Sequence, residues 1–374
     1  MTPADLSRTV LHAVRRAVDE DALRAPVPAR VRVERTRPGG SGDYACAVAL
    51  QLAGDAGLPA LEVARILRER VAAEPGVGRV EITGPGFLSF TLDAPAESDR
   101  AVLAAVREQG LAYGHGDALR DEIHQFHYAR EVRAAVTAQA VFRLFLAQGA
   151  RGRTTCEQAP DPDWVRLGVT VDAYGTPPVP LTEIRPVPAG ATAGELLERL
   201  GPDAARWGLL RPAGHDRPAL GPELLVQGEA NGLFRVRYAH ARARALTRGA
   251  ALLGFTSEPA EPAEPAEPAE PAEPAEDVQD AAYDRAARPL LDLIADHPGA
   301  LLAGARHRAP DRVARQLEAV AHAFFDFHDS CPPLPAGDEK PSAAHRARLA
   351  LAEAAGTVLA GGLSLLGIRA PEHL

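Results

Sequence analysis

The chain has 374 residues, 46% of them hydrophobic, enough for two or three domains with sizeable cores. It holds no run of about 18 apolar residues, so no membrane span is expected. Its three cysteines, Cys46, Cys156 and Cys331, are too scattered for a zinc site or a disulfide framework, which suits a reducing cytoplasm. A net charge of −9 argues against nucleic acid until its distribution is read: residues 257–280 hold seven Glu and two Asp without Arg or Lys, leaving the remainder neutral and able to carry a basic face.

Residues 1–110 read as an α+β domain. MTPADLSRTVLHAVRRAVDEDALR has an amphipathic helical pattern with acids on it, not the uninterrupted apolar stretch of a signal peptide. VPARVRVERT (27–36) alternates like a strand, and GGSGDYACAVALQLAGDAG (39–57) reads as a glycine loop entering a helix that stops at a glycine. LEVARILRERVA (61–72) is a second helix. GRVEITG and GFLSFTL are strands joined by a Gly84-Pro85-Gly86 turn, and ESDRAVLAAVREQG (97–110) closes the domain as a helix.

In residues 111–225, HYAREVRAAVTAQAVFRLFLAQG (127–149) has a helical pattern, and Arg151 to Ala191 is rich in Pro and Gly. GELLERLGPDAARWGLL (194–210) reads as helix, glycine break and helix. From about Leu225 the pattern is helical. Val236, Ala239, Ala243 and Leu246 share one face, with Arg237, Arg244 and Arg248 as a separate stripe. Leu349, Ala352, Gly356, Leu359, Leu363 and Leu366 fall at the spacing of a bundle seam. An all-α bundle is therefore expected over 226–256 and 281–374. Six EPA triplets (258–275) interrupt it. Proline every third residue removes helix donors and the glutamates repel, so 257–280 is expected to be a disordered acidic insertion.

Several blocks resemble arginyl-tRNA synthetases. GDYACAVALQLA (42–53) and GPGFLSFTL (84–92) are similar to the family's N-terminal additional domain, which binds the D-loop side of the tRNA elbow. VRYAHARARAL (236–246), AHAFFDFHDSC (321–331) and RLALAEAAGTVLAGGLSLLGIRAPEHL (348–374) resemble its DALR-type anticodon-binding bundle. GPDAARWGLLR (201–211) resembles the segment that leads into that bundle. The middle region, 111–225, is then expected to be a degenerate remnant of the class I catalytic domain. The family's HIGH-type helix start corresponds to His127-Tyr128-Ala129-Arg130, keeping His127 with Arg130 at the last position. A KMSK-type loop is missing, because the chain's sole lysine is Lys340. Without these groups, ATP phosphates lose their expected partners.

The resemblance implies a non-catalytic synthetase homologue that binds tRNA, with no catalytic residues, no cofactor and no DNA or membrane partner. A partner enzyme or translation component could receive the tRNA. Two other readings stay open: a reduced but active arginine–tRNA ligase, and a protein-interaction scaffold without RNA binding. At the elbow, Phe87 and Ser89 are the candidate contacts, with Phe87 either stacking a base or serving as a strand core residue. At the anticodon arm the candidates are Arg237, Tyr238, Arg244, Arg248, His328, Asp329 and Leu374. His328 and Asp329 stand where the family has tyrosine and asparagine, and Leu374 where it commonly has methionine. His240 is expected to be a packed structural histidine. His115, His124, His127 and Asp121 lack the spacing of a metal site.

Overall fold

The computed structural model describes residues 3–36, 41–74, 77–92, 95–177, 179–258 and 286–374. Beyond Ser257 and Glu258, the expected acidic insertion lies outside the described residues. The chain divides into two units, Met1–Ala104 and Ala105–Leu374.

In the first unit, helix α1 (Pro3–Asp19) carries Leu6, Val10, Ala13, Val14 and Ala17 at helical spacing, and all are sealed from solvent. Four strands, β1 (Val33–Arg35), β2 (Tyr44–Cys46), β3 (Val77–Thr83) and β4 (Phe87–Leu92), form an antiparallel sheet in the order β1-β2-β4-β3. Helices α2 (Val48–Ala56) and α3 (Ala60–Val71) place Leu52, Val63 and Leu67 in one core with Leu88 and Phe90 of β4. The expected strand 27–36 survives only as β1, since Pro26 and Pro28 cannot donate to a ladder. Strand β2 lies within the stretch whose sequence reads as a glycine loop; three residues are too few for a periodic signal. Gly42 has φ +75°, and a Cβ there would stand 2.7 Å from the Phe90 carbonyl oxygen, so the loop requires glycine. Helix α4 (Pro95–Gln109) carries the chain onward.

The second unit opens with a four-stranded parallel sheet: β5 (Ile123–Tyr128), β6 (Arg151–Cys156), β7 (Ala173–Tyr174) and β8 (Thr182–Ile184), in the order β7-β6-β5-β8. Helix α5 (Val132–Ala147) links β5 to β6 and is buried on nearly every side. The helix expected from His127 thus begins five residues later. His127 and Tyr128 finish a strand, and the Glu131 carboxylate caps the helix by accepting from Ala134 N at 2.8 Å. Helix α6 (Ala193–Leu210) starts with a Thr192–Glu195 capping box and breaks at Gly201 (φ +71°), as its sequence indicates.

Helices α7 (Gly232–Leu252), α8 (Arg288–Arg306), α9 (Pro310–Ser330) and α10 (Ala343–Leu365) form the bundle. Helix α7 packs on α9 and α10, and α8 on α9. The two apolar faces read from the sequence are buried as its seam. Parallel sheet and bundle are one unit: α5 lies against α8, and Arg211 of the α6 end pairs with Glu318 of α9 at 2.8 Å. Arg206 of α6 donates to the carbonyls of Leu366 (2.8 Å) and Leu167 (2.5 Å). Burial, with Arg143 nearby, pushes its pKa down to about 9. Among the described residues, no helix is long and apolar enough to cross a membrane.

Candidate nucleic-acid interface

Strand β4 alternates as its sequence requires. Leu88 and Phe90 are fully buried, whereas Phe87, beside the Gly84-Pro85-Gly86 turn, is 38% exposed. Ser89 departs from the expectation of an RNA contact. It is 3% exposed, sits between Ala45 of β2 and Glu81 of β3, and shares a 3.0 Å hydrogen bond with the Thr83 hydroxyl. A small side chain on a central strand is covered by both neighbouring strands.

In the parallel sheet, His127 is buried on β5 between Thr155 of β6 and Glu183 of β8. Its Nδ1 has no hydrogen-bond partner among the described residues. Arg130 lies just past the strand and donates to the Ala159 carbonyl at 2.8 Å. The strand order reverses between β5 and β8, and open α/β sheets bind ligands outside the carboxyl ends of strands at such a point. Two residues there had escaped the sequence reading. Glu131 accepts from Ala189 N at 2.8 Å as well as capping α5. Arg133 is sealed from solvent and donates to five carbonyls, those of Leu209, Val187, Asp216, Pro212 and Ala213, at 2.6–3.1 Å. Its desolvation lowers the guanidinium pKa, with Glu131 among the acids opposing that shift. The available signal was an arginine in the first turn of a largely apolar helix.

On the bundle, Tyr238 is 43% exposed and stacks with Phe234 and Phe325, each with ring centroids 5.5 Å away. This aromatic row offers a platform to a planar ligand. The arginine stripe is not continuous. Arg237 turns to Asp203 at 3.8 Å, while Arg244 and Arg248 both face Glu372. His328 bridges two charged groups, accepting from Arg242 Nε at Nε2 (3.3 Å) and donating through Nδ1 to the exposed Asp329 (3.3 Å). His240 is buried and its Nδ1 donates to the Gly356 carbonyl at 3.0 Å; burial lowers its pKa despite that bond. Leu374 borders an open cleft of about 250 Å³ with Phe234, Arg237, Leu225 and Arg369. Asp203 lines the same cleft and accepts from the Arg369 backbone and Nε at 3.2 and 3.0 Å. Arg237 and Leu374 thus border one cleft, and Tyr238 stacks on Phe234, which also lines it. His328 and Asp329 project from the end of α9.

Residues 5–92 match the arginyl tRNA synthetase N terminal domain, and residues 236–374 the DALR anticodon binding domain. The chain is 26% identical to an arginine–tRNA ligase of Frankia alni and 25% identical to one of Kineococcus radiotolerans, each match covering 100% of both chains. The first alignment spans 575 positions, well beyond this chain's 374 residues, so the relative has segments without a counterpart here. Among solved structures, Thermus thermophilus arginyl-tRNA synthetase superposes with a TM-score of 0.69 at 14% identity, covering 100% of both chains. The Plasmodium falciparum enzyme gives 0.62 at 9% identity, covering 100% of this chain and 99% of that one. Relatives named as ligases along the whole chain overturn the expectation that it is not an enzyme. That expectation rests on the altered HIGH-type start at His127-Tyr128-Ala129-Arg130 as well as on missing lysines. In a chain with one lysine and forty arginines, guanidinium groups carry nearly all the positive charge, so a lysine count is a poor measure of phosphate chemistry. The chain is arginyl-tRNA synthetase-related, with that family's N-terminal domain at one end and its DALR anticodon-binding domain at the other.

Proposed function

We propose that this protein binds tRNA, with Phe87 meeting the elbow and the α7 surface, together with His328, Asp329 and Leu374, meeting the anticodon arm. The observation that carries this reading is the DALR match over 236–374, on a bundle whose exposed face combines the Phe234–Tyr238–Phe325 row with arginines. Aromatic faces suit unpaired bases and guanidinium groups suit phosphates, the two features an anticodon loop presents.

The activity assigned to it is arginine–tRNA ligation by a reduced enzyme, favoured by relatives of that name over the whole chain. The parallel sheet is then the shortened counterpart of a nucleotide-binding domain, with its ligand crevice beyond β5 and β8. At the carboxyl ends of those strands stand Arg130, the N-terminal end of α5, and Arg185, which directly follows β8 and pairs with Glu157 at 2.7 Å. Incubation of the purified protein with ATP, labelled arginine and tRNA is expected to yield arginyl-tRNA. Absence of both charging and arginine-dependent ATP–pyrophosphate exchange would remove the ligase assignment; tRNA binding is tested separately by direct titration.

A further inference from the structure

Arg244 and Arg248 are one helical turn apart on α7 and converge on a single carboxylate. The Arg244 Nη2 lies 3.0 Å and its Nε 3.1 Å from Glu372 Oε1; the Arg248 Nη1 lies 3.9 Å from Oε2. Arg248 Nη2 also approaches the Glu372 carbonyl oxygen at 3.5 Å and His373 Nδ1 at 3.4 Å. Two guanidinium groups spaced to hold the two oxygens of a carboxylate are spaced to hold two oxygens of a phosphodiester, since both anions accept the same forked hydrogen bonds. All three side chains are about half exposed, at 45%, 42% and 53%. Exposed ion pairs are weak, so the carboxylate can be exchanged.

The surrounding chain allows that exchange without unfolding. The segment after α10 is pinned on both sides of Glu372. Ile368 is buried and Arg369 is bonded to Asp203 before it, and Leu374 borders the cleft after it. A change of the Glu372 rotamer removes the carboxylate from both arginines and leaves Arg248 with only its 3.5 Å and 3.4 Å approaches to the Glu372 carbonyl and His373.

We propose that Arg244 and Arg248 form a seat for an RNA backbone phosphate, and that Glu372 is its resident competitor, occupying the seat until RNA displaces it. This rests on the tRNA-binding reading. Glu372 thereby lowers affinity for RNA and discriminates against ligands too weakly anionic to expel it.

The test uses the full-length protein, titrated with a folded tRNA and, separately, with oligouridylate, at two salt concentrations. Glu372→Gln keeps the side-chain shape and removes its charge. It is expected to tighten binding of both RNAs by about 2- to 10-fold and to steepen the salt dependence. In a background carrying Arg244→Ala and Arg248→Ala the gain is expected to vanish, because no seat remains to be uncovered. Unchanged or weaker binding by Glu372→Gln would overturn the proposal and make Glu372 a residue that orients the arginines. An equal gain in the arginine-free background would overturn it too, as a general charge effect. Failure of either protein to bind either RNA has the same consequence. If oligouridylate binds as tightly as tRNA and the arginine-dependent gain persists, the seat stands and the tRNA reading falls.

Discussion

Phe87 and Leu88 are adjacent on β4 and have opposite surroundings, and the alternation that separates them was readable in GFLSFTL. Phe87→Ala is expected to weaken tRNA binding by about 1–3 kcal/mol through lost base stacking, with little change in stability. Leu88→Ala, by emptying a fully buried site, is expected to cost about 2–5 kcal/mol of stability. Equilibrium unfolding and RNA titration on both variants separate the two effects; loss of stability without loss of affinity at Phe87 would make it a packing residue. The burial of Ser89 was not legible in that alternation, which cannot tell a solvent face from one covered by neighbouring strands. For Arg237, Arg244 and Arg248 the missing information was long-range: Glu372 is 128 residues from Arg244.

His297 on α8 gives a pH dependence. It is stacked on Tyr113 and bonded to Gln316 at 2.9 Å, and burial pushes its pKa from 6.5 down to about 4. The unfolded chain therefore takes up a proton at this residue before the folded one does. Its contribution is intact above pH 6.5 and is lost as the pH falls toward 4, by about 2–3 kcal/mol at pH 4.5. Urea denaturation at pH 7 and 4.5 is expected to show a smaller acid loss in His297→Gln than in the unsubstituted protein. Equal losses would mean that His297 does not remain neutral in the fold.

Among the elements, those with a full periodic pattern were legible: α3, both halves of α6 around Gly201, the α7 face and the α10 seam. The parallel sheet was not. Strands β7 and β8 have two and three residues and are held by their neighbours, not by a pattern of their own. At the end of α10 the fold depends on a glycine. Gly367 has φ +72°, and a Cβ there would collide with Arg143 Nη1 and stand 2.6 Å from the Arg206 guanidinium carbon. Gly254, after α7, has φ +77° and open space around it. Substitution of Gly254 by Ala is expected to cost only the left-handed penalty of about 1–2 kcal/mol. Gly367→Ala adds displacement of the buried Arg206 and the partly buried Arg143 and is expected to cost a further amount of about 1–3 kcal/mol. Equal costs in denaturant titrations would show that the Arg143–Arg206 brace yields freely.

Across the whole molecule, the blocks at the two ends were legible because residues 5–92 and 236–374 keep the spacing of two domains of the arginyl-tRNA synthetase family. The activity was not legible from the middle region. Charge carried by forty arginines and one lysine cannot be followed by counting lysines. The proposed function gives the two ends one ligand, a folded tRNA. The most direct measurement is a salt titration of the full-length protein with a folded tRNA against a random single strand of equal length. Binding that is tighter for tRNA at each salt concentration, falls steeply as salt rises, and is weakened both by Phe87→Ala and by the Arg244→Ala, Arg248→Ala pair is the expected result. Equal binding of the two RNAs, or indifference to both sets of substitutions, would contradict it.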